Sequence, residues 1–188
     1  MHITSVRFIK SAVGRDEVLE DGIPQIAFIG RSNVGKSSVI NALAKQDICK
    51  TSSFPGRTQL INIFLINKIL YLIDLPGYGY AKVSHAAREH INDLISWYLF
   101  DSKYDQKKIV FIVDVKVGLT KSDQESLCEL EKAGKDIIIV ANKIDALGTK
   151  ALAKQLKAIQ GMVGDRKVLP FSAKKNTGVN ALAELILS

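Results

Sequence analysis

Lys36 and Ser37 stand directly after Gly35, and Gly30 opens the same short run. The order Gly30-Arg31-Ser32-Asn33-Val34-Gly35-Lys36-Ser37 fits G-x-x-x-x-G-K-[ST], a loop whose backbone N–H groups curl inward on anionic oxygens. An apolar run precedes it and a helical pattern follows, so the positive end of a helix dipole adds to those amides. Lys36 would reach the β and γ phosphates as a point charge. Ser37 would place its hydroxyl on Mg²⁺, with Ser38 continuing the row of amides. A plain glycine-bearing turn has no use for a Lys-Ser pair at the start of a helix. The pattern specifies a nucleoside triphosphate and leaves the base open.

The base is read from Asn142, Lys143 and Asp145, in the run "VANKID". The Asp145 carboxylate can accept from guanine N1–H and from the exocyclic amine. Adenine lacks that donor edge, and a carboxylate left unpaired costs roughly 1–3 kcal/mol or more. Asn142 can support the loop and reach N7, and the Lys143 stem can pack along the ring. Ser172, Ala173 and Lys174 follow a short strand, with the Ala173 N–H near the guanine carbonyl. Between these segments lies Asp74-Leu75-Pro76-Gly77. Asp74 ends a strand and would hold Mg²⁺ through a water; Gly77 would offer its N–H to the γ phosphate. In "TSSFPGRTQL", Pro55-Gly56 marks a turn, Arg57 stands beside it, and Thr58 is the residue expected to fold onto Mg²⁺ and the γ phosphate. Thr51 competes for that role but lies farther from the next strand. Lys36, Thr58 and Gly77 are thus the candidate catalytic groups.

Tyr78 takes the place after D-x-x-G, where many GTPases carry the glutamine that orients water. A phenol cannot reproduce the paired donor and acceptor of an amide, so intrinsic turnover should be slow. The ring is expected to point away and pack within the loop. Asn33 matches the asparagine that ligates K⁺ in related GTPases, where a monovalent cation would neutralise developing charge. Alternatively, it only caps the loop.

The elements that must position these groups are short apolar runs alternating with amphipathic ones, which argues for an α/β sandwich on a largely parallel sheet. Strands are expected over residues 25–29, 60–66, 69–74, 109–115, 137–141 and 168–171. Only Asn67 and Lys68 separate the second from the third, which predicts an antiparallel hairpin at one edge. Helices are expected over 36–44, with Val39, Ile40 and Leu43 inward, and around Ala87, Ile91, Leu94, Ile95 and Tyr98. A third opens at a Ser122/Glu125 capping box, a lysine-rich one follows residue 145, and a last one starts near Val179.

The chain has 188 residues, consistent with one domain, and carries +7 net charge. Its pI of about 9.4 raises the odds of a polyanionic partner. Lys150, Lys154 and Lys157 fall on one helical face, as a phosphate-binding stripe or simply a solvated face. Cys49 and Cys128 have no motif spacing and are expected to be reduced thiols. No apolar run reaches membrane-span length and the start lacks a signal-peptide pattern, so a cytoplasmic protein is expected.

The runs "GRSNVGKSSVINAL", "PGRTQLINIF" and "DLPGYGYAKV" closely resemble the EngB/YsxC family of bacterial ribosome-biogenesis GTPases. The similarity extends from "RFIKSA" to the last helix, and its most specific piece is Gly77-Tyr78-Gly79-Tyr80. The family usually carries Thr at the position of Asn142 and often Ser at that of Ala173; here both take the form common to GTPases at large. The resemblance implies residues 1–188 as one G domain with the three-layer, Ras-like P-loop NTPase fold. It implies binding of GTP and GDP, hydrolysis with Mg²⁺, stimulation by K⁺ or ribosomal particles, and a role in large-subunit assembly and normal cell division. The expected partners are precursor large-subunit rRNA and ribosomal proteins, with neither DNA nor membrane, and the chain is expected to be a monomer. Two other outputs stay open: a guanine-nucleotide-dependent RNA-binding module that needs no hydrolysis, and a GTPase of tRNA modification or of a membrane.

Overall fold

The computed structural model describes residues 2–49, 60–79 and 84–188. Its centre is β2 (Gln25–Ile29), buried at all five positions. A strand buried at every position, apolar from Ile26 to Ile29, needs cover on both faces, which a parallel sheet between two helical layers provides. β2 pairs in parallel with β4 (Leu70–Asp74) on one side and β5 (Gln106–Asp114) on the other. Beyond β5, the strands β6 (Ile137–Asn142) and β7 (Val168–Pro170) continue in parallel. β3 (Ile61–Ile66) pairs antiparallel with β4. The spatial order is β1-β3-β4-β2-β5-β6-β7.

The β3–β4 hairpin turns on Asn67 and Lys68, both in the left-handed region at φ 50° and 60°, and closes with Ile69 N–H donating to the Ile66 carbonyl at 2.9 Å. Positive φ at both central residues is the geometry that matches strand twist, and Asn tolerates it well. The antiparallel pair predicted from these two residues is present. Outside it lies β1 (Val6–Ala12), antiparallel to β3, which sequence patterning did not indicate. Its burial does not alternate, because the register shifts between Phe8 and Lys10 and breaks the two-residue period.

Helices α1 (Lys36–Ala44) and α5 (Val179–Leu187) cover one face. Val39, Ile40 and Leu43 join Leu182 and Ile186 there over Phe28, Val110 and Val140. The other face carries α2 (His85–Ser96), α3 (Lys121–Lys132) and α4 (Thr149–Val163). Ile91, Leu94, Leu127, Leu130 and Ile159 pack there on Ala27, Phe111 and Ile139. α2 runs on into a π-helical turn, Trp97–Asp101, that buries Tyr98. The N-terminus of α3 corrects the expected register: the capping box is Thr120 with Asp123, not Ser122 with Glu125. Thr120 is still extended at ψ 171°, so the helix begins at Lys121 and Ser122 already lies inside its first turn. Cys49 and Cys128 are both unpaired thiols, the first buried. Asn41 on α1 pins Cys49 by accepting from its N–H at 2.7 Å and donating to its carbonyl at 3.0 Å.

Candidate nucleotide site

The carboxyl ends of β2, β4, β5 and β6 come out at one edge of the sheet, where a doubly wound fold leaves a crevice. β2 runs into the loop of residues 30–35, which turns into α1 at Gly35, φ 97°. That φ suits glycine, and a Cβ would meet Asn142 Nδ2 at 2.5 Å. The glycine therefore lets two loops touch that are over a hundred residues apart in sequence. Asn142 Nδ2 donates to the Val34 carbonyl at 2.9 Å, and Lys143 Nζ donates to the Asn33 carbonyl at 2.6 Å. Lys143 also pairs with Asp114 at the end of β5, 2.8 Å away. A cavity of about 1040 Å³ opens between these loops, lined by Gly35, Ser38, Asn142, Lys143, Asp145 and Ala173.

Lys36, next to Gly35 in the chain, and Asp74, at the end of β4, do not line this cavity and are both buried. Burial lowers the pKa of the Lys36 ammonium, with the Asp74 charge pulling the other way. Burial raises the pKa of the Asp74 carboxyl, opposed by Lys36 and Ser37. Lys36 Nζ reaches the Gly30 carbonyl at 3.5 Å, and Ser37 Oγ donates to Asp74 Oδ2 at 3.2 Å. Asp74 Oδ1 has no hydrogen-bond partner among the described residues. A buried carboxylate oxygen without a donor beside a serine hydroxyl is a donor set suited to a hard, oxygen-seeking cation such as Mg²⁺. The desolvated ammonium beside it suits a phosphate. Leu75 and Pro76 carry the chain to Gly77, where a Cβ would stand 2.9 Å from the Ser32 backbone and 3.0 Å from Lys36 Nζ. Glycine is needed there for contact, not for dihedral freedom.

At the base end, Asp145 Oδ1 accepts from Ser172 Oγ at 2.5 Å, and Ser172 Oγ in turn accepts from Lys175 N–H at 3.0 Å. The Ser172 bond holds the Asp145 carboxyl below the usual carboxylate range, with Lys174 and Lys175 adding to it. Asp145 is thus an oriented, ionised acceptor facing the cavity. Asn142 is buried and acts as a brace, because its Oδ1 also faces the Ala173 N–H at 3.4 Å. Asn33 is exposed at φ 65°. Arg31 turns its side chain away from the cavity, its Nε 3.0 Å from Asp123 Oδ2. Tyr78 is buried and donates to Asp123 Oδ1 at 2.7 Å, so it points away as expected. Pro55, Gly56, Arg57, Thr58 and the competing Thr51 lie outside the described residues, as does Tyr80. Sequence reasoning missed Asp123 and Asp114. The Thr120-x-x-Asp123 spacing could have indicated the first; nothing local indicates the second.

A glycine-bounded loop at a helix start, a buried carboxylate with one unpartnered oxygen and an oriented, exposed carboxylate at one edge of the sheet are the arrangement of a P-loop GTPase. The sequence model of the family described as "50S ribosome-binding GTPase" matches residues 25–143, and that of the "Elongation factor Tu GTP binding domain" matches residues 104–188. A probable GTP-binding protein EngB of Clostridium perfringens is 40% identical over 190 residues, covering 99% of this chain and 96% of its own. The corresponding protein of Chlorobaculum parvum is 41% identical over 187 residues, covering 98% and 96%. A crystal structure of a probable GTP-binding protein engB superposes with a TM-score of 0.72 at 25% identity, over 87% of this chain and 96% of that one. The chain belongs to the EngB family of GTP-binding proteins, and it is a GTPase.

Asp74 can hold a cation only when ionised, and burial sets its pKa above the ordinary value of about 4. Mg²⁺ affinity of the GDP complex should therefore fall as pH is lowered from 7 towards 5, earlier than for an exposed carboxylate. Asp74→Asn should weaken Mg²⁺ by about 10–100-fold and flatten that pH dependence. Mg²⁺ titrations of the GDP-loaded protein at several pH values measure both.

Proposed function

We propose that this GTPase works as a guanine-nucleotide switch in assembly of the large ribosomal subunit. The observation that carries the nucleotide part is the placement of Asp145, held by Ser172, in one cavity with Gly35 and Ser38, which flank the buried Lys36 and its neighbour Ser37 at the start of α1. In this reading Asp145 selects guanine, and amides of the loop and first turn of α1, within residues 30–38, hold the phosphates, apart from that of Ser32, which is bonded to the Tyr78 carbonyl. Lys36 offsets charge on the β and γ phosphates. Ser37 directly, and Asp74 through a water, hold Mg²⁺, which when bound stabilises charge on the phosphate oxygens. Gly77 N–H meets the γ phosphate, and Thr58 completes the site from the preceding loop.

Support for the ribosomal partner is the matched family's description as a 50S ribosome-binding GTPase, together with the chain's +7 charge. On α4, Lys150, Lys154 and Lys157 are all exposed, and the helix carries no acidic residue from Thr149 to Val163. A surface of this composition suits an RNA backbone. In this scheme the GTP form docks on precursor large-subunit particles in the cytoplasm and leaves after hydrolysis.

Asn33 extends the proposal to K⁺. Its backbone is fixed by Lys143 while its side chain lies in solvent at the mouth of the phosphate loop. A K⁺ ion there would supply positive charge that neither Tyr78 nor Arg31, both turned towards Asp123, is placed to give.

Asp145→Asn replaces an acceptor with an amide that can donate to a C2 carbonyl. GTP affinity should drop by about a hundredfold and xanthosine triphosphate should become the better ligand. Competition binding of the two nucleotides measures the reversal. GTP turnover should be several-fold faster in KCl than in NaCl; equal rates, with and without ribosomal particles, would remove the K⁺ role. Gradient sedimentation of cell lysate with a non-hydrolysable GTP analogue should shift the protein onto large-subunit particles, while GDP leaves it at the top. A protein that stays at the top with both contradicts the ribosomal reading.

A further inference from the structure

We propose that Tyr78 is a positioning residue: through Asp123 and Arg31 its hydroxyl keeps the Gly77 amide seated on the phosphate loop, and it takes no part in orienting water.

Tyr78 and Asp123 are both buried, and the Tyr78 ring stands 6.5 Å from that of Phe111. Its hydroxyl donates to Asp123 Oδ1 at 2.7 Å. The second oxygen of Asp123 accepts from Arg31 Nε at 3.0 Å, from Thr120 N–H at 2.9 Å and from Thr120 Oγ at 2.7 Å. Capping α3 needs only the Thr120 bonds. A buried phenol and a guanidinium on the same carboxylate are left over from that task, and both come from chain segments that touch the phosphates. Arg31 is the first variable residue of the phosphate loop, and Tyr78 is the first residue after Gly77.

The same two segments are also joined through their backbones. Ser32 N–H donates to the Tyr78 carbonyl at 2.9 Å, and Arg31 and Tyr78 form a parallel bridge. The result is a closed ring of bonds, with a backbone link on one side and the Tyr78–Asp123–Arg31 side chains on the other. Gly77 directly precedes Tyr78 at the margin of this ring, with no room for a Cβ between it and Ser32 and Lys36. With Tyr78 held at its carbonyl and at its hydroxyl, the adjoining Gly77 amide has less freedom left to lose when it meets an acceptor, so its hydrogen bond forms with less reordering. For the phenol to reach the reaction centre, it would have to abandon a buried carboxyl partner. Asp123 would then keep an oxygen without its donor. The side chain is a tether.

GTP and GDP differ in the γ phosphoryl group that Gly77 N–H meets. Loosening the tether should therefore weaken GTP and spare GDP. This inference rests on the proposed contact of Gly77 N–H with the γ phosphate and not on the ribosomal partner, so the ribosomal reading can fail without touching it. Tyr78→Phe keeps the ring and deletes the donor. Calorimetry with Mg²⁺ should give a non-hydrolysable GTP analogue bound about three- to tenfold more weakly, with GDP within twofold of the parent protein. KM for GTP should rise with it. Equal weakening of both nucleotides would mean a general packing role, and unchanged affinity for both would remove the tether; either overturns the proposal. A fall in kcat with both affinities intact would place the phenol in the chemical step, which also overturns it. Arg31→Gln breaks the other end of the tether at a half-buried site. It should show the same selective loss even if Tyr78→Phe fails to fold. Combined, the two changes should lower the GTP-to-GDP affinity ratio by less than the product of their separate effects. A full product would show independent roles.

Discussion

Burial of two opposite charges beneath one loop governs the upper edge of this sheet. Lys36 and Asp74 are withdrawn from water, and their ordinary pKa values move in opposite directions because neither ionised form is well solvated. Lys36 Nζ reaches only a carbonyl at 3.5 Å, and one Asp74 oxygen has no donor among the described residues. Charges held this way are unfavourable alone and favourable once a phosphate and a divalent cation arrive. Gly77 packs closely because no side chain can stand between it and Lys36. The strands that deliver these residues, β2 and β4, are neighbours in parallel register, so their ends emerge side by side.

The base end follows another logic. Asp145 is exposed and hydrogen-bonded, and its ionisation is favoured by Ser172 and two nearby lysines. It is held in place by loops that are themselves cross-braced. Asn142 ties the β6 loop to Val34, and Lys143 ties it to Asn33 and to Asp114. Guanine and phosphate subsites are therefore one mechanical unit. That bracing favours a ligand of fixed length between its two ends.

Much of this was legible in the sequence, for identifiable reasons. Gln25–Ile29 and Lys36–Ala44 match expectation to the residue, because an apolar run, a glycine loop and a helical stripe follow one another without ambiguity. Asn67 and Lys68 predicted the hairpin because two-residue loops leave few geometries. β1 escaped because its register shift destroys the alternation that would reveal a strand. The capping box was placed two residues late because Ser122/Glu125 and Thr120/Asp123 both satisfy the same local spacing. Only the backbone angle at Thr120 decides between them. The sequence places Tyr78 within its own loop, turned from the reaction centre; its burial on Asp123 is not legible there, since the two meet only through the tertiary fold.

The two outer strands have a consequence for the behaviour of the chain in concentrated solution. β1 presents Arg7 and a bulge along its free side, and β7 has three residues ending in Pro170. Charge, a kink and a missing backbone donor each frustrate continuation of a hydrogen-bond ladder by another copy. Both margins of the described sheet therefore disfavour edge-to-edge pairing with a second copy.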